Sequence, residues 1–470
     1  MPIINYICFS DLHFGDVNSL LTRLKQDSND TDPGKPSDVM VQLVECLKVL
    51  INDNGGVKPI LVLNGDILEM ALNTDNEGIM VFQRFMELTM QKGKELFNDE
   101  KIIFIPGNHD HHLWESARET QYLKYIKGHS GILNIPWHVT YMFDKGDPKK
   151  IVESQLLTQL AQQYADKIVV ATAYPNYAIM REDEQKCIIF HHGHLIEQIY
   201  RIMSTLKTWI FPEREKPRQV WHIEQENFAW IDFFWSTLGR SGEVGQDVGL
   251  IYHKLQSEEQ VKELVYNVVN GIDKDYNLPG IDSIAAASLK LILGIIVKKL
   301  IDLEKFKTGM SPADSIEKNL KAYMTGPLRE QIRVELGREN IPDVTFVFGH
   351  THKPYQKDIE DIKGYNKWVN IYNTGGWVVD KVKPDPDHGG AIVLIDDDLN
   401  TVSLQMYKEK DYTAKAEDYA HKFEQANPLH QQIQGLVRPD EDPWKTFSRC
   451  AKEGVEIRAE HLKKYIGVTH

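Results

Sequence analysis

Residues 101–112 read KIIFIPGNHDHH, an apolar run that stops at a Pro-Gly pair and is followed by amide, carboxylate and imidazole side chains. Apolar runs rich in β-branched and aromatic residues are typical of strands buried on both faces of a layered sheet. An ordinary turn does not need several imidazoles beside a carboxylate. The stretch therefore predicts a buried strand with a functional loop at its carboxyl end.

Four further runs have the same form, an apolar stretch that ends in Asp, His or Gly. They are NYICFSD (5–11), PILVLNGD (59–66), KCIIFHHGH (186–194) and VTFVFGHTH (344–352). Helical patterns at 38–51 and 79–96 separate the first three strands. Alternation of strands and helices predicts an α/β layered sandwich, in which sheets are flanked by helices.

The character of the chain changes after about residue 200, where helical patterns replace strand patterns. We predict a core formed by 1–200 and 341–412, a helical insertion (cap) at 201–340, and a C-terminal helical tail at 413–470. Within the insertion, the apolar segment 281–306 has only fifteen residues between Asp282 and Lys298. A bilayer span needs roughly 18–20 apolar residues, so a buried helix is favoured over a pocket lining or a membrane-surface helix.

Composition excludes some classes of function. The 470-residue chain is 42% apolar and 26% charged, with a net charge of -14. That charge argues against non-specific nucleic-acid binding, which depends on neutralising phosphates with Lys and Arg. Four widely spaced cysteines form no CxxC pair and are expected to be reduced thiols. With no basic and apolar leader pattern at the start, we expect a cytoplasmic protein.

The polar residues that end the five strands are the candidate site. In open α/β sheets, ligands bind at the carboxyl ends of the strands. Mixed carboxylate, amide and imidazole ligands without thiolate suit Mn, Fe, Zn or Co. The candidates outnumber the ligands of one tetrahedral ion, so a two-metal site is predicted, of the kind that promotes displacement at phosphorus. The candidates are Asp11, His13, Asp66, Asn108, His192, His350 and His352.

The ordered series D-x-H, G-D, G-N-H-D, H-G and G-H-T-H resembles the calcineurin-like metallophosphoesterase superfamily over 1–200 and 341–412. The resemblance implies a fold of two mixed β-sheets flanked by helices. It also implies a metal-dependent phosphoric ester hydrolase with two divalent ions, among which Mn is favoured. In that family a hydroxide that bridges the metals attacks phosphorus.

The resemblance also implies a role for each residue. Asp11, His13 and His352 would bind the first metal, Asp66 would bridge both, and Asn108, His192 and His350 would bind the second. His109 would not be a ligand. It would contact the phosphate and protonate or stabilise the leaving oxygen.

Several residues near these motifs have two interpretations. His192 is favoured over His191 as the ligand because it precedes the glycine, and adjacent residues of a strand point to opposite faces. Glu69 either hydrogen-bonds His109 as a second catalytic residue or lies at the surface. His111 and His112 are expected to be surface residues at a helix start without a role. Asp110 is expected to interact with the dipole of that helix.

The substrate is not determined by these motifs. SDLHFGD, GDILE, HHGH, GHTHKPY and NTGGW resemble the branch of the superfamily that contains the UDP-diacylglucosamine pyrophosphatase, although His194 stands where that branch has an acidic residue. A phosphomonoester, phosphodiester or pyrophosphate substrate is expected. The alternatives are a nuclease, a lipid-linked pyrophosphate hydrolase whose cap forms an acyl pocket, and a non-catalytic binding scaffold. Lipid or membrane-surface contact through the insertion, and oligomerisation, stay open.

Overall fold

The computed structural model describes residues 1–26, 30–143, 152–237, 312–366, 368–417 and 427–465. In these ranges two mixed β-sheets lie face to face and helices cover their outer faces. The predicted layered α/β sandwich is therefore confirmed. All five predicted strands are present, in the chain order expected.

The larger sheet has eight strands within the described ranges. Their spatial order is β15-β14-β13-β1-β4-β5-β7-β6. The bounds are β1 Ile4–Phe9, β4 Ile60–Leu63, β5 Lys101–Phe104, β6 Val152–Glu153, β7 Val169–Thr172, β13 Gly389–Asp396, β14 Thr401–Lys408 and β15 Lys415–Ala416. Since β1, β4, β5 and β7 are parallel neighbours, their carboxyl ends share one edge of the sheet.

The smaller sheet has five strands in the described part of the chain, in the order β11-β12-β10-β9-β8. The bounds are β8 Asn176–Met180, β9 Lys186–His191, β10 Asp343–Phe348, β11 Tyr355–Ile359 and β12 Val369–Asn373. A separate hairpin pairs β2 Thr22–Leu24 with β3 Thr31–Pro36. Strands β9 and β10 are parallel neighbours, although the whole insertion separates them in sequence.

Helices cover both outer faces. Their bounds are α1 Asp38–Ile51, α2 Asp75–Thr89, α3 His111–Gly128, α4 Gln155–Ala161, α5 Ile202–Ile210, α6 Val220–Asp232, α7 Pro312–Tyr323, α8 Arg329–Leu336, α9 Pro428–Leu436 and α10 Trp444–Tyr465. Two short π-helical turns, Phe233–Thr237 and Met324–Leu328, follow α6 and α7.

Helix α1 shows how the sequence specifies an element. The Ser37 side chain caps its first turn by accepting from the Met40 amide, and Asp38 lies where the helix dipole favours an acid. Leu43 and Leu47 lie four residues apart on the buried face. The prediction of 38–51 matches the observed helix, whereas α2 begins before residue 79 and ends at Thr89 rather than at 96.

Three apolar clusters define the layers. One lies between the two sheets and includes Val62 and Ile188. A second packs α1, α2 and α10 against the larger sheet, with Trp444 fully enclosed. A third packs the described helices of the insertion against the smaller sheet. The insertion is thus joined to the core by a continuous apolar layer.

The described parts of the predicted insertion and tail contain most of the remaining helices. Segment 281–306 lies outside the described residues. None of the helices that the structure describes is both long and apolar enough to cross a bilayer. The described part of 413–470 contains β15, which pairs with β14 at the sheet edge, and helices α9 and α10.

Candidate metal centre

The topology brings the five polar strand ends together. Strands β1, β4 and β5 deliver their carboxyl ends from the larger sheet, and β9 and β10 deliver theirs from the smaller one. The two sets meet where the Asn64 Nδ2 donates to the His191 carbonyl oxygen at 3.2 Å. All seven predicted ligands therefore lie at one end of the sandwich, between the edges of the two sheets.

The backbone at these positions has an unusual conformation. Five of the predicted ligands have a positive φ: Asp11 at 51°, His13 at 44°, Asp66 at 52°, His350 at 69° and His352 at 54°. Residues other than Gly, Asn and Asp rarely adopt this region, so His13, His350 and His352 would each cost about 1–3 kcal/mol unless the surroundings imposed the conformation. Strain concentrated at one site is typical of functional positions.

Two glycines make room for the carboxylates. A side chain at Gly107 would collide with the Asp66 carboxylate, and one at Gly349 would collide with the Asp11 carboxylate. The glycine that precedes each ligand motif therefore allows the backbone of one loop to approach the ligand of another.

Asp11, His13 and His352 form the first cluster. One ligand atom from each lies within 4.8 Å of those of the other two. The buried His13 Nε2 has no hydrogen-bond partner among the described residues, although a buried polar atom normally has one. A cation with oxygen and imidazole ligands would satisfy this nitrogen, so the residues fit a divalent metal.

Asp66, His192 and His350 form the second cluster, again with ligand atoms within 4.8 Å of one another. His192 Nε2 lies 3.1 Å from Asp66 Oδ2 and 3.1 Å from Asn108 Oδ1. The Asp66 carboxylate also lies 3.8 Å from His13 Nε2 of the first cluster. Asp66 therefore stands between the two clusters, where a bridging ligand would have to be.

Charges within the site favour ionised carboxylates. Burial opposes ionisation of Asp66, but His192 and His109 hold the pKa of this carboxyl well below its ordinary value. Burial similarly opposes ionisation of Asp11, while His192 and His352 lower its pKa. Both carboxylates are thus available as anionic ligands at neutral pH.

His109 lies beside the two clusters and contacts Glu69. Its Nδ1 is 2.9 Å from Glu69 Oε1, and its backbone N–H donates to Asp66 Oδ1 at 2.8 Å. Burial opposes protonation, but the Glu69 and Asp66 carboxylates raise the pKa of His109 to about 10. An imidazole with that pKa is protonated at neutral pH and can donate to a phosphoryl or leaving-group oxygen.

Glu69 is buried, so it does not occupy the alternative surface position. Its carboxylate contacts His109 and also His13 Nδ1, at 2.8 Å. Burial favours the neutral form, but His109 and His13 lower the pKa of Glu69 to about 2. Glu69 therefore links the imidazole beside the site to an imidazole of the first cluster.

The two adjacent histidines at the end of β9, His191 in the strand and His192 directly after it, have different surroundings. His192 faces Asp66 and Asn108, as described above. His191 is buried between Tyr323 and Phe346, and neither of its ring nitrogens has a hydrogen-bond partner within the described ranges. Burial lowers the pKa of His191, so it is a neutral residue of the apolar layer.

One expectation for the loop after β5 is wrong. His111 is not at the surface: it is fully buried, and its Nε2 lies 2.9 Å from Glu224 Oε1. Asp110 lies at the N-terminus of α3, where its interaction with the helix dipole stays a prediction, and it has a further role. Its carboxylate accepts from the Gly107 and Ile67 amides, each at 2.7 Å, and so ties two ligand-bearing loops together. Glu224 and Ile67 are far from His111 and Asp110 in sequence, which is why the local pattern did not indicate these two contacts.

Two carboxylates that contact the predicted ligands were not indicated by the sequence motifs. Asp380 Oδ2 lies 2.6 Å from His352 Nδ1, and Glu197 Oε2 lies 3.5 Å from His350 Nε2. Carboxylates that accept from the far nitrogen of a metal-binding imidazole orient the ring and increase its basicity. Asp380 follows the NTGGW motif and Glu197 follows HHGH. Their positions close to these motifs in sequence were the only indication that they lie near the site.

The comparison with known proteins agrees with this geometry. A search of curated proteins found no match. Residues 4–206, which contain five of the seven predicted ligands together with His109 and Glu69, match the family model described as calcineurin-like phosphoesterase. Together with the clustered Asp and His side chains, this match supports binding of divalent metal ions, without indicating which metals they are. Residues 4–206 therefore match a calcineurin-like phosphoesterase domain, which indicates a metal-dependent phosphoric ester hydrolase.

Proposed function

We propose that this phosphoesterase binds two divalent ions and hydrolyses a phosphomonoester, a phosphodiester or a pyrophosphate. The observation that carries the proposal is the position of Asp66. Its carboxylate lies 3.1 Å from His192 Nε2 in one cluster and 3.8 Å from His13 Nε2 in the other. One carboxylate between two ligand clusters supports a dinuclear centre.

The donor atoms indicate the class of metal. Imidazole, carboxylate and one amide oxygen suit Mn, Fe, Zn or Co, and we favour Mn. When bound, two such ions would supply an acidified water as nucleophile and stabilise charge on the phosphoryl group. Asp11, His13 and His352 would hold one ion and Asn108, His192 and His350 the other, with Asp66 shared.

His109 would act on the substrate through its free ring nitrogen. Because Glu69 occupies Nδ1, Nε2 is the atom that can reach a phosphoryl oxygen. Burial opposes protonation of the ring, but the Glu69 carboxylate raises its pKa and so favours the imidazolium, which can donate a proton to the leaving oxygen. The Glu69 carboxylate holds the ring in this orientation and stabilises its charge.

The insertion offers a second, narrower candidate, hydrolysis of a lipid-linked pyrophosphate with the cap as an acyl pocket. The supporting observation is a pair of aromatic side chains that pack beside a predicted metal ligand. Tyr200, the last residue before the cap, packs against His350 with ring centroids 5.2 Å apart, and Trp235 of the cap packs on Tyr200 at 5.0 Å. An aromatic wall beside a predicted ligand suits a substrate with an apolar group next to its phosphate. The acidic net charge makes a nuclease less favourable.

We also propose the domain bounds, the location in the cell and the possible interactions of the protein. The core comprises 1–200 and 341–412, the cap 201–340, and the tail 413–470. The protein acts in the cytoplasm, a proposal supported by four buried cysteines with free thiols. Oligomerisation and contact with a membrane surface through the cap are compatible with this function.

The experiment that tests the proposal is hydrolysis of 4-nitrophenyl phosphate and bis(4-nitrophenyl) phosphate by the full-length protein with added Mn. Asp66→Asn should abolish turnover and lower the metal content, whereas His109→Ala should reduce turnover with metal retained. Exposed Asp53 and His222 give matched controls, Asp53→Asn and His222→Ala. A wild type that binds two metals but cleaves neither ester nor a pyrophosphate would contradict the proposal.

A further inference from the structure

The insertion makes polar contacts with the loop that carries His109. Helix α6 and the π-helical turn Phe233–Thr237 lie against the start of α3, which immediately follows the His109 loop. The insertion residues with these contacts are Glu224, Asp232 and Ser236, and together we call them the loop clamp. Each bonds to a residue between His109 and His112.

Ser236 makes the most direct contact. Its hydroxyl accepts from the His112 backbone N–H at 2.8 Å and donates to the His109 carbonyl oxygen at 3.2 Å. The side chain is fully buried, so water does not compete for either bond. One hydroxyl from the insertion therefore closes the turn between His109 and the first turn of α3.

The first turn of α3 depends on this contact. A helix leaves its first N–H groups without internal partners, and the side chain of the preceding residue usually caps one of them. Asp110 is in that position but makes no side-chain cap, because its carboxylate bonds to the Gly107 and Ile67 amides instead. The Ser236 hydroxyl supplies the missing acceptor from a distant part of the chain.

Glu224 and Asp232 strengthen the attachment. Glu224 Oε1 lies 2.9 Å from His111 Nε2, and its other oxygen accepts from the Tyr174 hydroxyl at 2.9 Å. Asp232 Oδ1 lies 3.3 Å from His112 Nδ1. His111 and Glu224 are both fully buried, so this pair is shielded from solvent.

His109 is thus held from two sides. The core binds its N–H through Asp66 and its ring through Glu69, whereas the insertion binds its carbonyl oxygen through Ser236. Loss of the Ser236 hydroxyl would free the carbonyl oxygen and leave a buried N–H without an acceptor. A loop that relaxes there would move the imidazole away from the leaving oxygen, and misplacement by about 1 Å can cost about 100-fold in rate.

We propose that Ser236 is a positioning residue through which the insertion sets the orientation of His109 for catalysis. This inference rests on the proposed function, in which His109 donates a proton to the leaving oxygen. It assigns the insertion a part in the chemistry itself, in addition to any part in selecting the substrate.

The test compares Ser236→Ala, Ser236→Thr and Thr237→Ala in the full-length protein. Thr237 is the matched control, because its hydroxyl lies in the same turn but bonds to Asp232 and Phe233 carbonyl oxygens within its own helix. We expect Ser236→Ala to lower kcat about tenfold with KM within about twofold, since both buried hydrogen bonds of the hydroxyl are lost. Ser236→Thr retains a hydroxyl and should keep most of the activity.

Two readouts separate positioning from general loss of structure. Poor leaving groups depend more on a proton donor, so Ser236→Ala should slow phenyl phosphate more than 4-nitrophenyl phosphate. In a His109→Ala background, Ser236→Ala should cause no further loss. The inference is overturned by an equal loss on both esters, or by a loss in the His109→Ala background as large as in the wild type.

A third measurement does not depend on activity. Hydrogen exchange at residues 108–113 should accelerate in Ser236→Ala and not in Thr237→Ala, because only the first removes the acceptor of the His112 amide. An inert wild type would refute the proposed function. Unchanged exchange in Ser236→Ala would instead overturn the loop clamp, so the two failures are distinguishable.

Discussion

Replacement of Glu69 by Gln is the sharpest test of how this site is ordered, because it changes charge and proton arrangement but not size. Glu69 Oε1 accepts from the Ala71 and Leu72 amides, each at 2.9 Å, and Gln can preserve both bonds with its carbonyl oxygen. The side-chain amide group then replaces Oε2, which lies 2.8 Å from His13 Nδ1. The N–H₂ group of Gln would then face the N–H at His13 Nδ1, which needs a hydrogen-bond acceptor.

The consequence for His13 follows from its two ring nitrogens. With Glu69 present, the proton lies on Nδ1 and the Nε2 lone pair is free for a metal. With Gln, either the contact breaks or the proton moves to Nε2, which then cannot bind metal. Loss of such an outer-shell partner typically costs about 10–100-fold in metal affinity, or about 1.4–2.7 kcal/mol.

His109 is affected by the same substitution. Burial opposes its protonation, and Glu69 contributes most to raising its pKa to about 10, so removal of that charge lowers the pKa. A weakened proton donor costs up to about 10²-fold in addition, because general acid catalysis contributes about 10²–10⁴-fold in total. We therefore expect kcat/KM to fall by about 10–10⁴-fold in Glu69→Gln.

The assay combines metal titration with steady-state hydrolysis of 4-nitrophenyl phosphate. The exposed Glu87 of α2 provides the matched control, Glu87→Gln. Thermal unfolding of the metal-free proteins would show that both variants fold. Metal affinity and kcat/KM of Glu69→Gln within about threefold of the wild type would refute the reasoning about both imidazoles.

Three further predictions concern groups around the site. His191→Phe should retain metal content and activity, because both ring nitrogens are buried without a hydrogen-bond partner in the described structure and an apolar ring fits the surrounding layer. Asp380→Asn should weaken metal binding about 10–100-fold in a metal titration, because its carboxylate orients His352 at 2.6 Å. The free energy of unfolding should fall between pH 6.5 and about 9. Burial opposes protonation of His111, but Glu224 raises its pKa from 6.5 to about 9. The protonated His111 therefore stabilises the folded state fully below pH 6.5, its pKa in the unfolded chain, and no longer does so above about pH 9, its pKa in the folded chain. The free energy of unfolding should differ by roughly 3 kcal/mol between these two pH values. Urea unfolding of the wild type and of Glu224→Gln measures this difference.

Each of these predictions has a result that would contradict it. Loss of metal in His191→Phe would mean that His191 rather than His192 is the ligand at the end of β9. An Asp380→Asn variant with unchanged metal affinity would show that the carboxylate does not support His352. If Glu224→Gln and wild type lose the same stability between pH 6.5 and 9, the titrating group is not the His111 pair.

Local sequence patterns determined the strands and their functional ends. Apolar runs that stop at Gly, Asp or His require burial on both faces, and burial places the polar end of each run at a sheet edge. For this reason the positions of Asp66, Asn108 and His350 near one another could be predicted without coordinates. Helix α1 was equally predictable, since its cap and its apolar stripe are all local.

Only the tertiary structure decided which residues support the site. Glu69 has the same sequence context whether it is buried or exposed, and packing against His13 and His109 settled its position. The partners of His111 and His112 come from the insertion, more than a hundred residues later in the chain. Local patterns carry no information about such pairings, because they arise when distant elements share a buried surface. The sequence by itself therefore determined where the predicted metal ligands meet, at one edge of the sheets, whereas only the folded chain decided how the carboxylates and the insertion hold that edge in place.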